Sequence, residues 1–482
     1  MTKRMACIIF LFCAATISAP AQITTLASFD NTNGRDASAA PSFVQGTNGK
    51  FYGTTAAGGV SDEGTVFEMS PAGKLVTLYS FCSQPGCSDG TGPNAGLIQA
   101  TNGNLYGTTS VGGTNNSGTI FEITPAGKLT ILYRFCSLSG CQDGANPQAG
   151  LLQAADGALY GTTCCGGAYG DGTAYKITTS GVLTTLASFD GANGNDPAFG
   201  SLTQGTDGNF YGTTLLGGLY TSCGDSRGCG TVFRMSPRGK LTSLYSFCAK
   251  LNCVDGEAPF SGTVQATNGK FYGTTLVGGA HGQGTVFEIS TTGKLRTLHS
   301  FNVSDGDDPE AALIQGTDGN FYGTTPGGGA HANAGTLFSI TPAGVLTTLY
   351  NFCSQASCAD GTGPYESLIQ ATNGEFYGTT FAGGTNSNCT DGCGTAFSLS
   401  TGLGPFIETR LSSGEAGSRV IVLGNNLSGT TAVKFNGTTA AFTVISETEI
   451  HTTVPSGATT GFVTAATPSG TLASNKPFWV IP

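Results

Sequence analysis

The residues best suited to chemistry are cysteines and oxygen ligands gathered in short loops. Four loops carry a cysteine, four residues and a second cysteine: Cys82 and Cys87, Cys136 and Cys141, Cys248 and Cys253, Cys353 and Cys358. From the preceding Phe to the next Pro these loops run 13 residues, whereas Phe189 to Pro197 and Phe301 to Pro309 run 9 and lack cysteine. The pair thus accompanies the extra length, and a local disulfide is predicted in each, contributing roughly 2 kcal/mol through the entropy of closing a small loop. Cys223 with Cys229 and Cys389 with Cys393 would tie other loops in the same way. The adjacent Cys164 and Cys165 leave two readings open, a strained vicinal disulfide that could sense reductant or ligand, or a structural or unpaired role.

Acidic and amide side chains concentrate in Asp190, Asn193, Asn195 and Asp196, and again in Asp305, Asp307 and Asp308, followed by Glu310. Calcium takes such oxygen ligands, so the first seven are the calcium candidates. The spacing is not that of an EF-hand, and Asp-Gly and Asn-Gly also make ordinary turns. His281 and His331 share one loop position, after Gly-Gly-Ala, and can be read as a metal pair or as solvated loop residues. No nucleophile with a base, and no axial cluster of histidine and carboxylates, can be assembled, so no catalytic residue is assigned. Tyr169, Tyr220 and Tyr365 are the aromatics left over for stacking on sugars.

The elements that hold these loops are set by one pentapeptide, Phe or Leu followed by YGTT, starting at Phe51, Leu105, Leu159, Phe210, Phe271, Phe321 and Phe376. A period near 50 residues indicates a repeat architecture. One unit, Pro93 to Phe135, contains four strand-like runs: Leu97 to Ala100 (a), Leu105 to Thr109 (b), Thr119 to Thr124 (c) and Leu129 to Phe135 (d). Asn102-Gly103 is a tight-hairpin signal between a and b, and apolar periodicity of 3.6, which helical repeats require, is missing. Four strands per repeat are the blade of a β-propeller.

Strands a, b and c occur seven times, and the last unit, ending at Leu399, lacks d. Ile23 to Phe29 matches strand d, which predicts a seven-bladed ring over residues 22–400 closed by an N-terminal strand. Short turns a-to-b and c-to-d would lie on one face, and the longer b-to-c and d-to-a loops on the other, the candidate binding face. The seven glutamines of strand a, such as Gln45 and Gln265, fall nearest the axis and are expected to form a structural hydrogen-bond ring, because an active site breaks symmetry. A different all-β pattern begins at Pro405, with Arg419 to Leu423, Val433 to Gly437 and Ile450 to Val454 suiting a small sandwich over 405–482.

Residues 1–21 carry Lys3 and Arg4, an apolar run from Ala6 to Ala15 and Ala19-Pro20-Ala21, the pattern of a secretory signal peptide. Export makes disulfides the leading reading of the remaining cysteines. Loss of the leader takes the net charge from −10 to −12, which disfavours nucleic acid as a partner. No later stretch is long and apolar enough to span a membrane.

The tandem units, with DGNFYGTT at 207–214 and GTVFEI at 284–289, resemble the GloVer, or choice-of-anchor, tandem-repeat proteins of bacteria over residues 23 to 400. That resemblance implies an exported, surface-associated protein and no established chemistry. The tail, with VIVLGNNLSG, VKFNGTTAAF and TPSGTLAS, resembles an IPT/TIG domain, an immunoglobulin-like module that implies a spacer or adhesion role. The expected function is therefore a secreted or cell-surface binding protein whose partner is an extracellular glycan or protein. The alternative is an extracellular propeller enzyme, a lyase or a glycan-cleaving hydrolase.

Overall fold

The computed structural model describes residues 21–36, 43–197, 199–223 and 226–481, so the predicted leader falls almost wholly outside the described residues. The described residues are all-β apart from four single-turn 3-10 helices, one in each CxxxxC loop. Residues 22–400 form seven four-stranded antiparallel sheets in a propeller-like arrangement. The unit read above becomes Ile98–Gln99, Leu105–Thr109, Thr119–Ile123 and Leu129–Arg134, hydrogen-bonded in that order. Strand a is two residues long rather than the expected four: Leu97 and Ala100 flank it as buried side chains outside the ladder.

Each position of YGTT has a separate physical job. The tyrosine ring lies against the first residue of the next b strand, as for Tyr211 on Phe271 with ring centres 4.0 Å apart. The glycine is demanded by space. A Cβ on Gly107 would meet the Phe121 ring at 2.6 Å and Leu97 at 2.8 Å. The first threonine ties neighbouring sheets, with Thr108 Oγ1 donating to the Ala149 carbonyl at 3.3 Å. The second bolts b to c, since Thr109 and Thr119 hydroxyls meet at 2.9 Å and the Thr119 amide donates to Thr109 Oγ1. All five residues of this b strand are buried, so the polar ones must find such partners inside the protein.

The last sheet is completed from the other end of the chain. Gln22–Ser28 pairs antiparallel with Thr395–Ser400, and Phe29 meets Phe67 of the first sheet edge-on at 5.4 Å. Equivalent aromatic pairs join every other neighbouring couple of sheets, among them Phe81 with Phe121 and Phe352 with Phe397.

Residues 408–481 form two further four-stranded sheets, face to face, plus a parallel pair between Ser413–Glu415 and Trp479–Ile481. Val420, Val422 and Ile450 of one sheet pack on Val433, Phe435 and Val463 of the other. This sandwich is not set apart on a linker. It sits against the short-turn face of the repeats: Asn425 Nδ2 donates to Thr372 Oγ1 at 2.7 Å, the Phe406 amide to the Thr372 carbonyl at 3.0 Å, and the Thr448 hydroxyl to the Thr47 carbonyl. The spacer role implied by the resemblance is thus accompanied by a contact that only the folded chain reveals.

Candidate functional site

The glutamines of strand a form a closed ring. The Thr47 amide donates to Gln99, Thr101 to Gln153, Ala155 to Gln204, Thr206 to Gln265, Thr267 to Gln315, Thr317 to Gln370 and Thr372 back to Gln45, over 2.9–3.3 Å. Each side-chain amide oxygen accepts a backbone hydrogen from the preceding sheet, so the ring holds neighbours in register. It also leaves an axial space of about 840 Å³, within the usual range of small-molecule sites.

The sandwich closes one end of this space. Arg410 reaches up into the ring, where its Nη2 donates to the Gln45 carbonyl and to Gln99 Oε1. Glu408, Lys476 and Trp479 line the same end, and Trp479 lies against the a-to-b turn at Gly208. Lys476 is exposed, and its accessible surface lines the cavity; the protein packed around it lowers its pKa against the pull of Glu408. Burial likewise lowers the Arg410 pKa, with Glu408 and Glu449 acting in the opposite direction.

The other end opens among the d-to-a loops, where the seven-fold pattern breaks. Phe199 and Phe260 stack with ring centres 4.2 Å apart and planes 18° from parallel. Glu310 and Tyr365 line the cavity beside them. Burial, with Asp308 adding to it, raises the Glu310 carboxyl to about 7. Burial also raises Tyr365, reinforced by Glu310 and Asp308. Behind them Glu366, fully buried, accepts from Thr379 Oγ1 at 3.1 Å, and burial holds its pKa well above the usual carboxylate range. One unrepeated carboxyl, Glu310, therefore lines the axial cavity, with Asp308 near enough to raise its pKa further.

Glu310→Gln tests this electrostatic reading. A carboxyl whose folded pKa is raised stabilises fully below its unfolded pKa, near 4.5, and loses that contribution as pH rises through 7. The variant should match the parent below pH 4.5 and become more stable above pH 7, by about 3 kcal/mol at most. Melting curves from pH 4 to 8 that keep a constant offset would exclude the raised pKa.

The calcium candidates fall in two separate d-to-a loops. Asp190 and Asn193 are locked to each other, each backbone amide donating to the other's side-chain oxygen at 3.2 and 2.9 Å. Asn195 donates to Asp171 at 2.9 Å. Asp305 accepts from the Asn302 amide and side chain, both at 2.9 Å, and pairs with His299 at 3.1 Å. Asp307 accepts from Gln283 at 3.1 Å. Asp196 and Asp308 hold positive φ of 59° and 54° just before a proline, a conformation Asp tolerates better than most residues.

Among the described residues two groups of three side chains come within metal-binding reach of one another, Cys223 with Cys229 and Cys248, and Cys248 with Cys253 and Glu257. Neither contains a calcium candidate, and their cysteines are joined as Cys223–Cys229 and Cys248–Cys253. The other pairs form as spacing predicted, Cys82–Cys87, Cys136–Cys141, Cys353–Cys358 and Cys389–Cys393, and the adjacent Cys164 and Cys165 are paired with each other. His281 and His331 are both exposed.

A family model described as the Gloeobacter/Verrucomicrobia repeat matches residues 12–142, 87–250 and 219–445. The chain belongs to that repeat family. No curated protein matches it. Among solved structures, the Gloeobacter/Verrucomicrobia repeat chain is similar to the extracellular domain of a hybrid two-component system from B. thetaiotaomicron, at 12% identity and a TM-score of 0.49 over 96% of this chain and 60% of that one. It is also similar to PorZ, a surface component of the type-IX secretion system of Porphyromonas gingivalis, at 13% identity and a TM-score of 0.45 over 95% of this chain and 61% of that one. The repeat chain thus spans about three-fifths of the length of either. Among its described residues no helix is long and apolar enough to cross a membrane.

Proposed function

We propose that this repeat protein is a secreted or cell-surface binding protein, a seven-bladed β-propeller with an immunoglobulin-like module, that takes a saccharide into its axial cavity. The observation that carries the reading is the break in symmetry at the cavity mouth. Residues repeated in every sheet are used up by the fold, whereas Phe199, Glu310 and Tyr365 are unrepeated and face the space. Flat aromatic faces suit the C–H surface of a sugar ring, and Ser201, Ser261 and Ser367 at the lining suit its hydroxyls. The seven disulfides support an oxidising destination.

A glycan array probed with the mature protein tests the reading. Phe199→Ala and Tyr365→Ala should each weaken the captured glycan at least about tenfold, equivalent to 1.4 kcal/mol, while the melting temperature stays within a few degrees. Unchanged binding in both variants would move the site away from the mouth.

A second reading, an extracellular lyase or glycan-cleaving hydrolase, is favoured by Glu310 alone. A carboxyl poised near 7 is suited to proton donation at neutral pH. Product analysis after incubation with the captured glycan separates the two: an enzyme loses turnover on Glu310→Gln and keeps binding, whereas a binding protein releases no product from either form. Calcium at the Asp190–Asp196 and Asp305–Asp308 loops remains the proposal for a cofactor, tested by calorimetric titration of the chelator-treated protein with Ca²⁺.

A further inference from the structure

The closed end of the cavity is unlike the rest. Four charged side chains line the space, Glu310 at the mouth and Glu408, Arg410 and Lys476 at the floor. With Glu310 about half protonated near pH 7, the two cations outweigh the negative charge of the lining in a chain whose formal net charge is −10. Both cations are incompletely satisfied by protein. Arg410 uses Nη2 on Gln45 and Gln99, and its buried Nε has no partner among the described residues. Among the described residues Lys476 makes no ion pair, and its one hydrogen bond is accepted by its backbone carbonyl from the Ser474 hydroxyl. Arg410 is thus held inside the protein with one donor unused, and apolar side chains would have sealed the channel without that cost. Two cations lining the floor of the cavity, one with an unused donor, suit an anionic ligand group.

We propose that the sandwich module supplies a cationic floor to the cavity, Arg410 and Lys476 holding the carboxylate of an acidic saccharide whose ring lies against the mouth aromatics. The inference rests on the saccharide reading above and adds two things to it: the ligand is a uronic acid, and the site is shared by the two parts of the chain. Truncation to the repeats alone would open the floor, so the repeats are not the complete binding unit.

The test is calorimetric titration of the full mature chain with a glucuronic-acid-terminated disaccharide and with its glucose-terminated counterpart, at low and at physiological salt. The acidic sugar should bind at least tenfold tighter, with the preference shrinking as salt rises. Lys476→Met should cancel that preference while the affinity for the neutral sugar stays the same, and Lys476→Arg should retain it. Lys476→Gln serves as the second neutral variant if the methionine form does not fold. Equal affinity of the parent for the two sugars, or a preference that survives loss of the Lys476 charge, overturns the cationic floor and leaves the saccharide reading standing. Binding of neither sugar overturns both.

Discussion

Deletion of residues 22–29 should cost the protein at least about 5 kcal/mol and leave a molecule that melts early and self-associates. The segment supplies six register pairs to Thr395–Ser400 and places Phe29, fully buried, against Phe67 of the first sheet. Loss of one buried Phe side chain alone costs about 3–5 kcal/mol, and the unpaired edge left behind is a template for pairing with other chains. Total stabilities of about 5–15 kcal/mol make this a large fraction of the whole. Phe29→Ala is the milder companion, expected to lose only the side-chain part. A deletion variant with an unchanged melting curve and a single monomeric peak would show that the ring does not depend on its N-terminal strand.

Asp143→Ala should destabilise by about 3–5 kcal/mol although the residue sits in a loop. Asp143 is fully buried, and its carboxylate accepts from the Ser137 amide at 2.9 Å, the Leu138 amide at 3.1 Å, the Ser137 hydroxyl at 3.0 Å and the Tyr133 hydroxyl at 2.9 Å. Removing it leaves four part-buried donors without their acceptor, and a hydrogen bond to a charged group is worth about 1.5–3 kcal/mol. Burial pushes the carboxyl up, and the hydrogen bonds together outweigh it, so the pKa lies below its ordinary value. A group with a lowered folded pKa stabilises above its unfolded pKa and loses that contribution as pH falls through the folded one. The gap between parent and variant should therefore be full near pH 6 and narrow below about pH 4. Asp360 has the same partners in its own loop and should behave alike. A gap that does not narrow in acid would mean that lost packing, rather than the carboxylate, accounts for the cost.

Asp143 also explains the cysteine loops. Cys136 and Cys141 both hold positive φ, 57° and 52°, which non-glycine residues avoid. The bridge and the carboxylate together hold the turn in that conformation. In the shorter loop Asp305 takes the same position with Asn302 and His299 as partners, and no bridge is present. Spacing exposed the disulfides because a local bridge needs only residues near in the chain. It concealed the aspartates, since Asp-Gly reads equally well as a turn or as a metal ligand.

What the residues determined by themselves is everything local to one repeat: strand order, the a-to-b hairpins, the loop disulfides, the displaced strand Ile23 to Phe29 and the symmetry of the glutamine ring. Those contacts recur, so each copy confirms the others, and hydrogen bonds within a unit follow from turn residues and alternation. The site is different in kind. Phe199 and Phe260 come from neighbouring units whose segments Pro197 to Gln204 and Pro259 to Gln265 differ in length by one residue, and only the exceptions in an alignment of the repeats would have marked them. Arg410 lies 365 positions from Gln45 and 311 from Gln99, and it carries no motif that announces a partner. The cavity floor, the raised pKa of Glu310 and the burial of Glu366 were decided by tertiary structure alone, because desolvation and enclosure depend on which chemically unrelated segments meet around a group, and periodicity along the chain holds no record of that meeting.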